Sequence, residues 1–222
     1  GRLALVYPGS GNHFVGMGRR LGAVWPDILE AMDRETDHLR RQALPHLVIP
    51  HRRAWPRDWE RRAQAELDAR PLEAICATVV FGIFTTRLVR AAGLRPQGVI
   101  GYSLGESTGY FATGAWPDQG RMLDRIQFST LFREQLAGPH TALRQAWNLP
   151  ADAPPRWQAA VVNRAAEAVR EILPNHPHVR LLIANTPAES VVGGLAEALP
   201  AFLAAIGGEA VPLQGVLPLH CD

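Results

Sequence analysis

One short segment has residue types and spacing that suit nucleophilic catalysis. Residues 101–106 read GYSLGE and place Ser103 between Gly101 and Gly105, which is the G-x-S-x-G pattern. In this pattern a serine stands on a strained turn between a strand and a helix, with its hydroxyl directed into a cleft. The glycines remove side chains that would clash across the turn. N–H groups at the start of the following helix favour a negatively charged oxygen. The segment therefore predicts a nucleophilic serine.

A nucleophilic serine needs a general base, and histidine is the commonest one. The chain has eight histidines. His220 follows the apolar residues 216–219. It lies beyond the predicted small subdomain, where the chain would return to the larger one. Residue types alone do not single it out, because a histidine after an apolar run is more often structural. The sequence thus offers His220 as a candidate base without proving the assignment.

Composition excludes several other kinds of chemistry. All 23 basic residues are arginines, so neither a Schiff-base lysine nor the lysine of a Walker phosphate loop is present. Cys76 and Cys221 are the only cysteines, too few for a disulfide framework or a four-thiolate metal site. The histidines and cysteines are scattered, and we expect no metal.

Charge and hydropathy give the class of protein. Apolar residues make up 47% of the chain and charged residues 20%, enough for a sizeable core. The net charge is only +2 and the arginines are spread along the chain, which argues against a nucleic-acid partner. No apolar run approaches the roughly 18–20 residues of a membrane span, and no signal peptide is recognisable. We expect a cytoplasmic protein that uses no membrane.

The first half of the chain has the element order of an α/β fold. Hydrophobic periodicity predicts strands at 3–7 and 98–101, on either side of a helix at 71–92. Further predicted helices span 18–30, with Pro26 in its middle, then 104–113 and 118–136, whereas 33–62 reads as an irregular connector. A strand, a sharp turn and a helix in succession around Ser103 predict a hydrolase-like subdomain with a central parallel sheet.

The second half has a different order of elements. Predicted strands at 157–163, 179–185, 190–193 and 209–213 alternate with helices at 164–173 and 195–206. This βαββαβ order is the ferredoxin-like pattern. We therefore expect a large α/β hydrolase-like subdomain over 1–139, an inserted ferredoxin-like small subdomain over 140–213, and a return to the large subdomain over 214–222.

Four segments in order resemble the malonyl-CoA:acyl carrier protein transacylase family, which includes acyltransferase domains of fatty acid and polyketide synthases. Residues 7–12 (YPGSGN) with 16–18 (GMG) are similar to the family's F-P-G-Q-G-S and G-M-G. Residues 101–106 are similar to G-H-S-L-G-E. Residues 184–194 and 212–221 resemble the N-S-P segment and the segment that ends in the catalytic histidine. A weaker likeness, to iterative synthases of polyunsaturated fatty acids or enediyne cores, rests on Tyr102 with 129–132 and 136–139.

The resemblance implies a mechanism and a set of roles. Ser103 would be acylated by an acyl-CoA, with His220 as general base, and the backbone N–H groups of Ser10 and Leu104 would hold the oxyanion. The acyl group would pass to the phosphopantetheine thiol of an acyl carrier protein. No bound cofactor is implied. Neighbouring synthase domains are implied as partners, and the remainder of the large subdomain would follow residue 222.

Departures from the family pattern concern substrate choice. Tyr102 replaces the family's histidine beside the nucleophile and would reshape the acyl pocket, and Ser10 replaces the oxyanion glutamine, of which only the backbone is needed. Arg70 replaces a glutamine before Pro71 and could bring a cation to the pocket. The family arginine that pairs with the malonyl carboxylate falls near Gln127 or Phe128. Arg121 and Arg125 are the nearest substitutes, or they form a solvated helix face.

These observations lead us to expect a serine acyltransferase that loads malonyl units onto a carrier protein. Two alternatives stay open. A serine acyl hydrolase or thioesterase would share Ser103 and His220, usually with an acidic third member. A non-catalytic domain that docks carrier protein would keep the fold and form no acyl-Ser103.

Overall fold

The computed structural model describes residues 1–36, 39–49, 54–150, 155–213 and 215–221. The chain divides into two compact units, Gly1–Phe128 and Ser129–Asp222.

The first unit is built on a two-stranded parallel sheet. β1 (Ala4–Tyr7) pairs with β2 (Gly98–Gly101) in a register that sets Ala4 opposite Gly98 and Tyr7 opposite Gly101. Parallel neighbours need a long crossover connection, and here the connection includes a long helix. The predicted strands and the parallel pairing are confirmed.

That helix, α6, forms the centre of the core of the first unit. It spans Pro71–Ala91, with Pro71 at its first position and Gly93 after its end in the left-handed region at φ +85°. Its length and hydropathy would allow it to cross a membrane, but most of its apolar stretch is buried inside the protein. Val79 and Phe84 are fully buried. The helix predicted over 71–92 is confirmed as a core helix.

Within the described part of the chain, five helices precede α6. They are α1 (Arg19–Val24), α2 (Pro26–Glu35), α3 (Leu39–Ala43), α4 (Pro45–Val48) and α5 (Trp59–Asp68). The single helix predicted over 18–30 is wrong, because the chain breaks at Trp25 and Pro26 begins a second helix. The prediction of an irregular connector over 33–62 is also wrong. That stretch holds α3, α4 and the start of α5, whose Ala63 and Leu67 are buried four residues apart.

Helices α7 and α8 follow β2 in the first unit. α7 (Leu104–Thr113) ends at Gly114, as predicted, and packs against α6 and β2. α8 (Gln119–Phe128) begins near the predicted start, but the helix predicted over 118–136 is too long. Ser129 breaks it, and Leu131–Gln135 forms a separate turn of π-helix in the second unit. Asp118 accepts a hydrogen bond from the Arg121 backbone N–H at 2.9 Å and so caps α8.

The second unit contains the ferredoxin-like arrangement. β3 (Trp157–Val162), β4 (Val179–Thr186), β5 (Glu189–Leu195) and β6 (Ala210–Leu213) form an antiparallel sheet in the order β4-β5-β3-β6. α10 (Ala166–Ile172) connects β3 to β4, and α11 (Leu199–Ile206) connects β5 to β6. Val162, Val192 and Phe202 are fully buried between sheet and helices. An additional helix, α9 (Thr141–Trp147), precedes β3 and was not predicted.

The subdomain boundaries remain a prediction. The division between the two units falls between Phe128 and Ser129, whereas the sequence led us to place the boundary after residue 139. Val216 and Cys221, in the segment expected to return to the large subdomain, pack against Ala159, Leu182 and Val191 of the second unit.

Candidate active site

Ser103 occupies a strained backbone conformation between β2 and α7. Its φ is +53° and its ψ is −115°, values that an L-residue other than glycine rarely adopts. It is the N-terminal cap of α7, and its C=O accepts the Glu106 N–H at 3.0 Å. Helix N–H groups therefore lie next to the residue that the motif places at the nucleophile position. This is the geometry that the G-x-S-x-G pattern predicts.

The two flanking glycines have no space for a side chain. A Cβ on Gly101 would collide with the backbone of Gly105 and Glu106 across the turn. A Cβ on Gly105 would collide with the C=O of Tyr7 at the end of β1. The tight turn and the close approach of β1 thus both depend on glycine at these positions.

The segment that follows β1 lies against the same turn. We refer to residues 8–18 as the glycine loop. The Tyr102 N–H donates to the Tyr7 C=O at 3.0 Å, and a Cβ on Gly9 would lie 2.9 Å from the Tyr102 ring and 3.4 Å from Ser103 Cβ. Within the loop, Asn12 Nδ2 donates to the Gly9 C=O at 3.1 Å. The structure therefore brings the loop that carries Ser10 to the predicted nucleophile.

Ser10 and Leu104 occupy positions consistent with the oxyanion role that the resemblance implies for their backbone. Leu104 is the first residue of α7, so its N–H has no acceptor within the helix. Ser10 follows Gly9 directly in the glycine loop. Both belong to the first unit, as does Ser103.

A hydrogen-bonded network anchors the glycine loop to α5. His13 Nε2 lies 2.9 Å from Asp68 Oδ1, and Gln64 Nε2 donates to the same oxygen at 2.8 Å. Gln64 Oε1 in turn accepts the Val15 N–H at 3.0 Å. The sequence did not reveal this network, because α5 was not predicted. A signal was present, since Gln64 and Asp68 are four residues apart and share a helix face.

The predicted substrate-binding residues of the first unit are exposed. Tyr102 is 42% exposed beside Ser103. Arg70 directly precedes α6 and forms an ion pair with Glu66 at 3.5 Å. Arg121 and Arg125 lie on an exposed face of α8, four residues apart.

The position where the resemblance expects an arginine carries other side chains. Phe128 is 81% exposed at the end of α8. Gln127 accepts a hydrogen bond from Arg41 Nη2 at 2.8 Å. An arginine thus approaches this end of α8 from α3, a residue that the sequence did not suggest.

His220 lies in the second unit, at a positive φ of +63°, and is exposed. Its neighbour Cys221 is partly buried against the sheet of that unit. The assignment of His220 as base therefore stays a prediction.

Cys76 is buried in the core of the first unit. Burial in the core raises the pKa of the Cys76 thiol to about 11, so it is a neutral thiol at pH 7. In the part of the chain that the structure describes, no three His, Cys, Asp or Glu side chains cluster closely enough to hold a metal ion.

Comparison with known proteins gives relatives of one kind. The chain is 26% identical over 230 residues to a polyunsaturated fatty acid synthase polypeptide from Thraustochytrium sp., a match that covers 99% of this chain and 11% of that protein. It is 28% identical over 202 residues to mycoketide-CoA synthase from Mycobacterium tuberculosis, which covers 90% of this chain and 4% of that protein. No family model matches.

Solved structures agree with these relatives. The acyltransferase domain from the second module of the salinomycin polyketide synthase superposes with a TM-score of 0.68 at 25% identity, covering 96% of this chain and 44% of that one. The malonyl-CoA:acyl carrier protein transacylase of Xanthomonas oryzae superposes with a TM-score of 0.64 at 26% identity, covering 95% of this chain and 61% of that one. A malonyl-transacylase in complex with a type II polyketide synthase acyl carrier protein shares the fold, with a TM-score of 0.64 at 18% identity, covering 100% of this chain and 64% of that one.

The comparisons confirm the resemblance and the α/β fold. The chain is similar to acyltransferase domains of polyketide synthases and to malonyl-CoA:acyl carrier protein transacylases. It spans about a tenth of the first curated relative and about half of the solved structures.

Proposed function

We propose that this chain is a serine acyltransferase domain of a fatty acid or polyketide synthase. It moves an acyl group from CoA to the phosphopantetheine thiol of an acyl carrier protein. The observation that carries the proposal is the backbone of Ser103, held at φ +53° between β2 and α7 with the glycine loop against it. The relatives and structural neighbours support the same reaction class.

In the first half-reaction, the Ser103 hydroxyl attacks the thioester carbonyl while His220 accepts its proton. The carbonyl oxygen becomes an oxyanion, and the N–H groups of Ser10 and Leu104 stabilise it. The C–S bond then breaks, and the CoA sulfur leaves with the proton from His220. The product is an acyl ester of Ser103.

In the second half-reaction, the phosphopantetheine thiol attacks this ester and gives its proton to His220. The same backbone N–H groups hold the second oxyanion. The Ser103 C–O bond breaks, the serine oxygen recovers the proton, and the acyl group leaves as a thioester on the carrier protein. No bound cofactor takes part in either half-reaction.

For the acyl group we propose malonyl. A malonyl group carries a free carboxylate, which an arginine fork can bind through two parallel hydrogen bonds. Arg121 and Arg125 on α8, and Arg70 before α6, are the candidates, and Tyr102 would shape the pocket beside the nucleophile. Arg70 already forms an ion pair with Glu66, so we take the two arginines of α8 as the first candidates.

For partners we propose an acyl carrier protein and neighbouring synthase domains, in the cytoplasm. One structural neighbour was solved as a malonyl-transacylase bound to a carrier protein, which supports this choice. The relatives are large synthases by their length, since the aligned region is a small part of each.

The acceptor of the acyl group tests this function against that of a serine hydrolase. The protein is given radiolabelled malonyl-CoA with and without a phosphopantetheinylated carrier protein. We expect label on the carrier protein to accumulate much faster than free malonate, and Arg121→Ala with Arg125→Ala to reduce malonyl transfer more than acetyl transfer. Release of malonate at the same rate with or without carrier protein would establish a hydrolase instead.

A further inference from the structure

We infer that His13 is a positioning residue for acyl transfer, and that it works by fixing the glycine loop to α5 through Asp68. This inference rests on the proposed function, because it gives the loop a catalytic purpose. His13 is not assigned a contact with substrate or with Ser103. It acts through the backbone that carries Ser10.

The direction of the hydrogen bonds follows from the carboxylate. A carboxylate oxygen accepts hydrogen bonds, so His13 Nε2 and Gln64 Nε2 both donate to Asp68 Oδ1. This fixes a proton on His13 Nε2. Gln64 has then used its Nε2 on Asp68 and its Oε1 on the Val15 N–H. The network therefore joins two points of the loop, His13 and Val15, to two residues one turn apart on α5.

The two side chains of the His13–Asp68 contact differ in burial. The His13 side chain is only 13% exposed, whereas Asp68 is 57% exposed. The imidazole is thus largely buried, while the carboxylate remains exposed to solvent. If Asp68 were removed, the largely buried imidazole would lose the hydrogen-bond partner of its Nε2 N–H, and that loss would favour a displaced loop.

The other end of the loop meets the nucleophile. Gly9 approaches Tyr102 and Ser103 closely, and Asn12 closes the turn by its bond to the Gly9 C=O. His13 follows Asn12 directly, so a shift of His13 is transmitted to Ser10 through a short, internally bonded turn. An oxyanion donor must lie about 2.7–3.1 Å from the position of the charged oxygen to be effective. A loop released at His13 therefore loses catalytic geometry without losing the strained turn at Ser103.

The experiment measures kcat and KM for the transfer of the malonyl group from malonyl-CoA to a carrier protein. It compares the parent protein with His13→Ala, Asp68→Ala and the double variant. Since oxyanion donors act only in the transition state, we expect each single change to lower kcat about tenfold while KM stays within about twofold. The double variant should be no slower than the slower single variant, because both changes break one anchor. Melting temperatures establish that each variant is folded.

Asp58→Asn is the matched control. Asp58 is another carboxylate of the α5 region, and it pairs with Arg61 and Arg62 of its own helix rather than with the glycine loop. We expect its kcat to equal that of the parent protein. His13→Gln keeps an N–H donor of similar reach and should recover most of the lost kcat, whereas His13→Asn, whose amide is shorter, should not. If His13→Ala does not fold, the comparison of kcat between His13→Gln and His13→Asn still tests the inference.

Equal kcat for His13→Ala, His13→Asn and the parent would overturn the inference while leaving the proposed function intact. A rise in KM with unchanged kcat would also overturn it, since it would place His13 in substrate binding. A parent protein that forms no acyl-Ser103 and transfers no acyl group would contradict the proposed function, and the inference would fall with it.

Discussion

Ser103 combines a strained backbone with the reactive group of the proposed mechanism. A residue other than glycine in a sparsely populated φ/ψ region costs roughly 1–3 kcal/mol, and the surrounding structure must impose it. At this site β1, the glycine loop and the start of α7 all contact the turn. The strain holds Ser103 at the N-terminus of α7, where helix N–H groups would stabilise the oxyanion of the proposed mechanism.

The strain can be measured by comparing Ser103→Gly with Ser103→Ala. Both changes remove the hydroxyl, so they differ mainly in the tolerance of the backbone for positive φ. We expect the glycine variant to be more stable than the alanine variant by about 1 kcal/mol in urea unfolding, after allowance for the greater unfolded-state entropy of glycine. An alanine variant as stable as the glycine variant would mean that Ser103 is unstrained.

The glycines that flank Ser103 lead to a second prediction. Gly101→Ala should lower the free energy of unfolding by about 1–3 kcal/mol, because its Cβ would collide with the backbone of Gly105 and Glu106. Gly98→Ala, at the other end of β2, is the control. Its Cβ would meet the Ala4 Cβ at an ordinary 3.6 Å, and we expect no loss. Chemical denaturation of both variants compares them, and equal stability would argue against the tight turn.

At the scale of elements, the sequence predicted the strands and helices that have a clear hydrophobic periodicity. Strands β1 and β2, helices α6 and α7 and all four strands of the second unit were found close to their predicted positions. The errors fall where periodicity is interrupted or diluted. Pro26 and Pro45 start new helices in the first unit. Helix α5 has arginines and glutamates among its residues and only two buried positions, so its hydrophobic periodicity is weak. The spacing of Gln64 and Asp68 was the one local sign of the network, whereas the contact between His13 and Asp68 spans 55 residues and has no local signature.

The pairing of α2 with α6 predicts a pH-dependent contribution to stability. Arg87 on α6 donates two hydrogen bonds to the Glu35 carboxylate on α2, and this bonding lowers the pKa of Glu35 below its ordinary value of 4.5. A carboxyl group with a lowered pKa in the folded state stabilises the protein above its ordinary pKa, and this stability is lost as pH falls through the folded value. The ion pair is partly exposed, so its contribution is small.

We therefore expect Glu35→Gln to reduce the free energy of unfolding at pH 7 by about 0.5–1 kcal/mol, with the difference vanishing below the folded pKa of Glu35. Urea unfolding at several pH values measures this. Glu30→Gln, in the same helix and facing Arg34 at a longer 3.9 Å, should change nothing at any pH. A Glu35→Gln deficit that persisted in acid would have to come from packing and not from charge.

At the scale of the molecule, the candidate residues are divided between two units. Ser103, Ser10, Leu104, Tyr102 and the three candidate arginines lie in the first unit, and His220 lies in the second. The motifs of the similar family suggested Ser103, Ser10, Leu104 and His220, whereas Arg121 and Arg125 were named only as the basic residues nearest to the expected position. The sequence did not choose among the arginines proposed for a substrate carboxylate, since that choice depends on which side chain of α8 would face the substrate. The structure adds Arg41, bonded to Gln127, to the basic residues near the end of α8.

The central claim is that Ser103 carries the acyl group, and intact-protein mass spectrometry tests it most directly. The protein is mixed briefly with malonyl-CoA and quenched in acid. Its intact mass is then compared with that of Ser103→Ala treated in the same way. We expect a malonyl adduct on the parent protein, mapped to the peptide that contains Ser103, and no adduct on the folded Ser103→Ala variant. An adduct that survives in Ser103→Ala would contradict the account.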